Sequence, residues 1–279
     1  MAGDVQVHNE RVLEPAVGWR LPDLKEAWTH RDLLYFLVRR DVVVRYKQAV
    51  IGVLWAVLQP VLLAGVFAVF FGLLAKVPSE TGVPYPLFVL TGMIVWLSFS
   101  KAVELGAASL VSNEQLISKI YCPRIIIPVA AIIPPWIDFA IGFVVTICVG
   151  LAYGFVPSIG ILAAPVFVLL AMFTAFGAGL WLAALNVRYR DISVVVPFVL
   201  LVGLFITPIV YPFDLVPNEL QPLYAINPMV GVLEGFRWSL LGADWPGFLL
   251  LIPVAVSAVL VLGGALYFRR AERSFADVI

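Results

Sequence analysis

Six long apolar runs constrain this chain more than any other feature of its sequence. A helix needs about 20 mostly apolar residues to cross a hydrocarbon core about 30 Å thick. Runs of that kind fall at about 51–75, 85–105, 125–150, 159–185, 192–211 and 247–268. Backbone groups inside a bilayer have no water to bond, so these runs predict α-helices, and the alternation of a membrane β-barrel is missing. Composition agrees. Of the 279 residues, 62% are hydrophobic and 13% charged, against about 45–50% and about 25% in soluble domains. The expected fold class is an all-α integral membrane protein with six transmembrane helices.

Basic residues orient the spans. Eight lie before residue 48, and Lys119, Arg124, Arg188, Arg190, Arg269, Arg270 and Arg273 fall in segments on the same side. Lys76 and Arg237 fall on the other, and Lys101 lies within a span. Excess Lys and Arg mark the cytoplasmic side, which predicts both termini there, and an even number of spans requires them to share a side. The stretch 213–245 is rich in Pro, Asp, Glu and Asn, with an apolar part too short to cross, and is expected as re-entrant helices on the external side. The domain plan is a leader over 1–22, an amphipathic interface helix over 23–48, the six-span domain over 49–268 and a tail over 269–279. The leader carries Asp4, Glu10 and Glu14 without an apolar run, so no secretory signal is expected. The short tail is expected to hold no fused glycan-binding domain.

The interface helix reads HRDLLYFLVRRDVVVRYKQ over 30–48. Leu33, Leu34, Phe36, Leu37, Val43 and Val44 offer an apolar side, and Arg39, Arg40, Arg45 and Lys47 a cationic one. That pattern predicts a helix in the headgroup plane with arginines reaching lipid phosphates. Lys and Arg total 18 and Asp and Glu total 18, so no bulk cationic field points to nucleic acid. Inside the spans, Asp138 is the deepest carboxylate, and such groups face a bundle interior or a polar cavity. It is expected to pair across helices, with Lys101 as a candidate partner; Lys101 and Glu104 also share a helical face. Histidine occurs only at positions 8 and 30, so no intramembrane proton relay is expected.

No phosphate loop, metal-protease helix or nucleophile elbow is present, and no catalytic, cofactor or metal residue is assigned. Cys122 and Cys148 are expected at different depths and therefore unbridged. Energy must come from a partner or a gradient. The segment Gly106–Arg124 has the length of a docking element, with Ser112 or Asn113 as N-cap of a short helix ending near Tyr121.

Several stretches together resemble one family: RDLLYFLVRRDVVVRYKQAVIGVLWAVLQP at 31–60, PYPLFVLTGMIVW at 84–96, LISKIYCPRIIIPV at 116–129, LNVRYRDI at 185–192, TPIVYP at 207–212, INPM at 226–229 and GFR at 235–237. The chain resembles the permease subunit of ABC-2 type polysaccharide exporters, the O-antigen and teichoic-acid export group. The resemblance implies the ABC-2 (type V) exporter transmembrane domain, in a bacterial cytoplasmic (inner) membrane. It implies a homodimer paired with two copies of a separate ATP-binding subunit, which would bind ATP and Mg; this chain would hold no cofactor and catalyse nothing. The cargo would be a polyprenyl-diphosphate-linked, O-antigen-like glycan, moved outward. The interface helix would clasp the ATPase, and 110–122 would couple to it through Asn113, Glu114, Gln115, Leu116 and Lys119. By charge and position, Arg39, Arg40 and Arg45 are candidates to meet the lipid diphosphate. Lys101, Glu104 and Asp138 are the candidate intramembrane polar groups. Cys122 departs from the family pattern, where an aromatic residue is expected before Pro-Arg. A teichoic-acid permease, or an ABC-2 permease for a small drug or lipid, shares the same plan.

Overall fold

The computed structural model describes residues 28–47, 52–79, 82–119, 122–157 and 159–272. The leader 1–22, both ends of the expected interface helix (23–27 and 48) and the tail 273–279 lie outside the described residues. Every regular element among the described residues is helical. The chain is an all-α integral membrane protein, with five helical segments long and apolar enough to cross a bilayer: Gly52–Leu74, Tyr85–Ser112, Ile126–Ala152, Ile159–Arg188 and Gly247–Ala271.

Helix α1 (Arg31–Lys47) precedes α2 (Gly52–Phe67), which continues as a π-helix over Ala68–Leu74. Helix α3 (Tyr85–Ser112) is the long central element, followed by the short α4 (Glu114–Lys119). The third apolar run is broken at its two prolines into α5 (Ile126–Ile132) and α6 (Pro135–Ala152), because proline lacks the N–H and crowds the preceding turn. Helix α7 (Ala164–Arg188) follows a 3-10 turn, and α8 (Ile192–Ile206) ends before Thr207 and Pro208. At about 1.5 Å per residue, the 15 residues of α8 reach about 22 Å, short of a full crossing. Beyond it come α9 (Gln221–Tyr224), α10 (Pro228–Leu241) and α11 (Leu251–Ala271).

Helix α3 is the hub, touching α2, α5, α6, α7, α8 and α10. Its segment Leu87–Trp96 is buried without interruption, so its sequence is apolar all round. Helices α7 and α11 approach backbone to backbone. A Cβ on Gly177 would stand 2.6 Å from the main chain of Leu260 and Val261, and Thr174 and Ser257 share a 2.8 Å hydrogen bond nearby. Small residues allow such contacts where no hydrophobic force drives helices together.

The segments rich in basic residues meet at one end. Arg40 donates to Asn113 Oδ1 at 3.2 Å, Arg124 donates to the Glu272 carbonyl at 2.5 Å, and Leu110, Cys122, Val187 and Phe268 share one apolar cluster. Residues from the 78–83 connection, from 212–215 and from 241–247 share a cleft of about 510 Å³ that includes none of these.

Candidate functional site

Helix α1 carries its buried face onto protein. Leu37 packs with Ile126 and Ala130 of α5, flanked by Leu33, Leu34, Val38 and Leu116. Tyr35, Phe36, Val43 and Val44 remain exposed. The register then positions a charge. Arg45 lies eight residues, a little over two turns, beyond Leu37, and meets Asp138 of α6. The Arg45 Nη2–Asp138 Oδ2 distance is 2.5 Å, and the Tyr46 hydroxyl donates to Asp138 Oδ1. Burial and that hydrogen bond push the Tyr46 phenol above its usual range, so it stays a protonated donor.

Asp138 therefore pairs with α1, not with Lys101. Lys101 Nζ lies 3.0 Å from Glu104 Oε2 on its own helix. All four charges, Arg45, Lys101, Glu104 and Asp138, nevertheless line one cavity of about 490 Å³ between the end of α1 and helices α2, α3 and α6. Trp55, Gln59, Ser98 and Ser100 line it too. Two cations, two carboxylates, hydroxyls, an amide and an indole can bind an anion with polar substituents.

The other sequence candidates sit elsewhere. Arg39 is exposed; Arg40 pairs with Asp41 at 2.8 Å and with Asn113. Neither lines the cavity. Asn113 caps the end of α3 by donating to the Ser109 carbonyl at 2.8 Å, and its own carbonyl accepts from Leu116 N at the start of α4. Glu114, Gln115 and Lys119 are exposed on α4, while Leu116 is half-buried against α1. The coupling candidates and α1 thus form one surface patch.

A polar knot was missed by sequence reasoning, which left Arg237 in an external connection. Arg237 is fully buried. Its Nη1 donates to the Pro208 carbonyl at 2.7 Å and its Nη2 to the Ile209 carbonyl at 2.8 Å. Glu234 Oε1 lies 3.3 Å from Nη1, and the guanidinium stands 3.7 Å from the Phe88 ring centre. Tyr85 donates to the Val210 carbonyl at 2.6 Å, and Asn227 Nδ2 to Thr207 Oγ1 at 2.9 Å. Where α8 unwinds at TPIVYP, freed carbonyls are met by side chains from PYP and GFR, and the Thr207 hydroxyl by the INPM asparagine. Gly92 admits the knot, since a Cβ there would stand 3.1 Å from Ile209 and 3.2 Å from Arg237. The available signal was a lone arginine inside an apolar 14-residue run together with a proline break whose carbonyls need donors.

Comparison with known proteins adds a second line. Residues 32–241 match the family described as ABC-2 type transporter. The chain is 28% identical to the O-antigen export system permease protein RfbA of Myxococcus xanthus over 92% of this chain and 98% of that protein. It is 26% identical to the protein of the same name from Klebsiella pneumoniae, over 89% and 95%. It is 23% identical to the polysialic acid transport protein KpsM of Escherichia coli, over 85% and 92%.

Proposed function

The chain belongs to the ABC-2 type transporter family, a family of non-catalytic membrane subunits that work with a cytoplasmic ATPase, and from that premise we propose that it is the permease of an ATP-driven polysaccharide exporter. The observation that carries the proposal is near full-length similarity to permeases named for O-antigen export. The cargo is an O-antigen-like glycan on a polyprenyl diphosphate, moved outward across the bacterial cytoplasmic membrane. The transporter is a dimer of this chain with two ATP-binding subunits.

In this scheme α8 and the unwound 207–211 together complete a sixth crossing, and 213–245 lies re-entrant on the external side. Both termini are cytoplasmic, supported by the gathering of basic segments at one end. Arg39 and Arg40 attract the anionic headgroup at the membrane surface, and Arg45 receives it in the cavity. Helix α1 and Asn113–Lys119 contact the ATPase. A charged headgroup cannot cross the hydrocarbon unaided because desolvating an ion costs several kcal/mol or more. The protein's part is to offer Arg45, Lys101 and hydrogen-bonding side chains in exchange for water. Nucleotide-driven movement of α1 and α4 then shifts the dimer between states that bind cargo differently.

Depletion of this protein from cells tests the proposal. Metabolically labelled polymer is probed in spheroplasts with a membrane-impermeant reagent. Full-length polymer trapped at the cytoplasmic face, and released outward on re-expression, is the expected result. Unchanged amount and sidedness would remove the glycan assignment and leave small-molecule export as the function to test.

A further inference from the structure

The cavity at the end of α1 is electroneutral through its own pairings. Among the described residues its ionisable lining side chains are Arg45, Lys101, Glu104 and Asp138, and each cation is held by a carboxylate, Arg45 by Asp138 and Lys101 by Glu104. A diphosphate bound there without rearrangement would meet as much negative as positive charge. Binding therefore requires the cations to change partners. Guanidinium suits that exchange, because its planar donors fit phosphate as well as carboxylate.

Exposure decides which ion pairs in this chain can exchange. Arg237 is wholly buried with two carbonyl partners, and breaking such a pair leaves an uncompensated charge in apolar surroundings. The Arg45 side chain is 33% exposed and that of Asp138 18%, and both line the cavity. Pairs open to water or ligand are held weakly. Asp138 also holds Tyr46, so one carboxylate ties two consecutive residues of α1 to α6. Helix α1 also packs on α5, on α2 and against Leu116 of α4, and its Arg40 reaches Asn113.

Resting on the assignment of Arg45 to the lipid diphosphate, we propose that Asp138 is a built-in competitor for the anionic headgroup. Headgroup and carboxylate exchange at Arg45, and the exchange unfastens the end of α1 from α6. Cargo binding is thereby converted into a change at the helix that faces the ATPase. By reciprocity, whatever pulls Arg45 and Tyr46 back onto Asp138 expels the headgroup. Asp138 is a positioning residue in this scheme and takes no part in chemistry.

The test uses the full chain with its ATP-binding partner in nanodiscs of neutral lipid. The probes are tritiated farnesyl diphosphate and, as competitor, inorganic diphosphate. Asp138→Asn is expected to tighten farnesyl diphosphate binding up to about fivefold, the scale of one weakly held competing ion pair. Arg45→Gln is expected to weaken binding, and to abolish the gain from Asp138→Asn when the two are combined. Asp138→Glu is expected to behave as the unmodified protein. Hydrogen exchange over residues 31–47 is expected to rise on adding the probe to the unmodified protein and to be high from the start in Asp138→Asn.

If Arg45→Gln weakens binding while Asp138→Asn leaves it unchanged or weaker, the exchange is refuted and the assignment of Arg45 stands. If neither variant alters binding, both fall. Competition by inorganic diphosphate, with Asp138→Asn tightening both ligands, supports exchange driven by the headgroup alone; tightening confined to the farnesyl probe supports exchange that needs the lipid. Should Asp138→Asn fail to assemble, the unmodified protein decides, because a probe that protects residues 31–47 overturns the exchange.

Discussion

Replacing Arg237 with methionine tests whether the polar knot holds the broken end of α8. The substitution keeps most of the side-chain volume and removes the guanidinium. It strips two carbonyls, those of Pro208 and Ile209, of donors at 2.7 and 2.8 Å, and leaves Glu234 without its cation at 3.3 Å. Each buried group left unsatisfied costs about 1–3 kcal/mol, and the stacked cation over Phe88 is worth up to about 2 kcal/mol when desolvated. The expected loss is on the order of 4 kcal/mol. At about 2–4 °C per kcal/mol for a chain of this size, the unfolding midpoint in mild detergent should fall by about 10 °C, read by tryptophan fluorescence and by the monodisperse fraction on gel filtration. Arg237→Lys should recover only part, since an ammonium cannot span both carbonyls in the same fork. A midpoint for Arg237→Met within about 2 °C of the parent, equivalent to less than about 1 kcal/mol, would refute the assignment of the knot as the structural tie.

Tyr85→Phe removes one donor from the Val210 carbonyl and should cost about 1 kcal/mol, seen as a correspondingly smaller fall in the same midpoint. Gly177→Leu places a side chain where even a Cβ would stand 2.6 Å from the backbone of α11, and should sharply reduce the folded yield, whereas Gly65→Ala, with nothing within 4 Å, should leave it unchanged. Burial raises the Cys122 thiol above its ordinary value. Less thiolate is then present at a given pH, so alkylation of Cys122 by iodoacetamide should lag an unburied thiol at pH 8 and rise only as pH increases further; a rate equal to a free thiol at that pH would contradict the burial. Single cysteines at Ser118 and Asn218, in a background without Cys122 and Cys148, should react with an impermeant maleimide from opposite sides of the membrane, and labelling from one side would overturn the proposed topology.

How far the sequence could be read varies from element to element. The third apolar run shows both outcomes: its length announces a crossing, and its Pro134-Pro135 pair announces the break that separates α5 from α6. The fifth run, expected over 192–211, stops as a helix at Ile206. TPIVYP carries the stop signal, but the donors that satisfy its freed carbonyls come from Tyr85 and Arg237. Gly231 and Gly235 stand four apart, a spacing that occurs often by chance; in the fold their missing side chains seat Pro253 and the Phe167 ring.

The sequence by itself determined the solvent and the family. Apolar transfer energy accumulates residue by residue along a helix, so length and composition suffice to identify membrane segments, and the distributed motifs carry the kinship. It also marked Asp138, Lys101 and Glu104 as charges within apolar spans and Arg45 as part of a cationic helix side. Only the tertiary structure decided their partners. Arg45 and Asp138 are 93 positions apart in the chain, a separation no periodicity encodes, and they meet because Leu37 packs with Ile126 and Ala130 and fixes the register of α1. The same holds for Arg237, whose place in the core depends on carbonyls freed in a different helix. An isolated charge is legible from its cost in hydrocarbon; its compensation depends on which surfaces pack together.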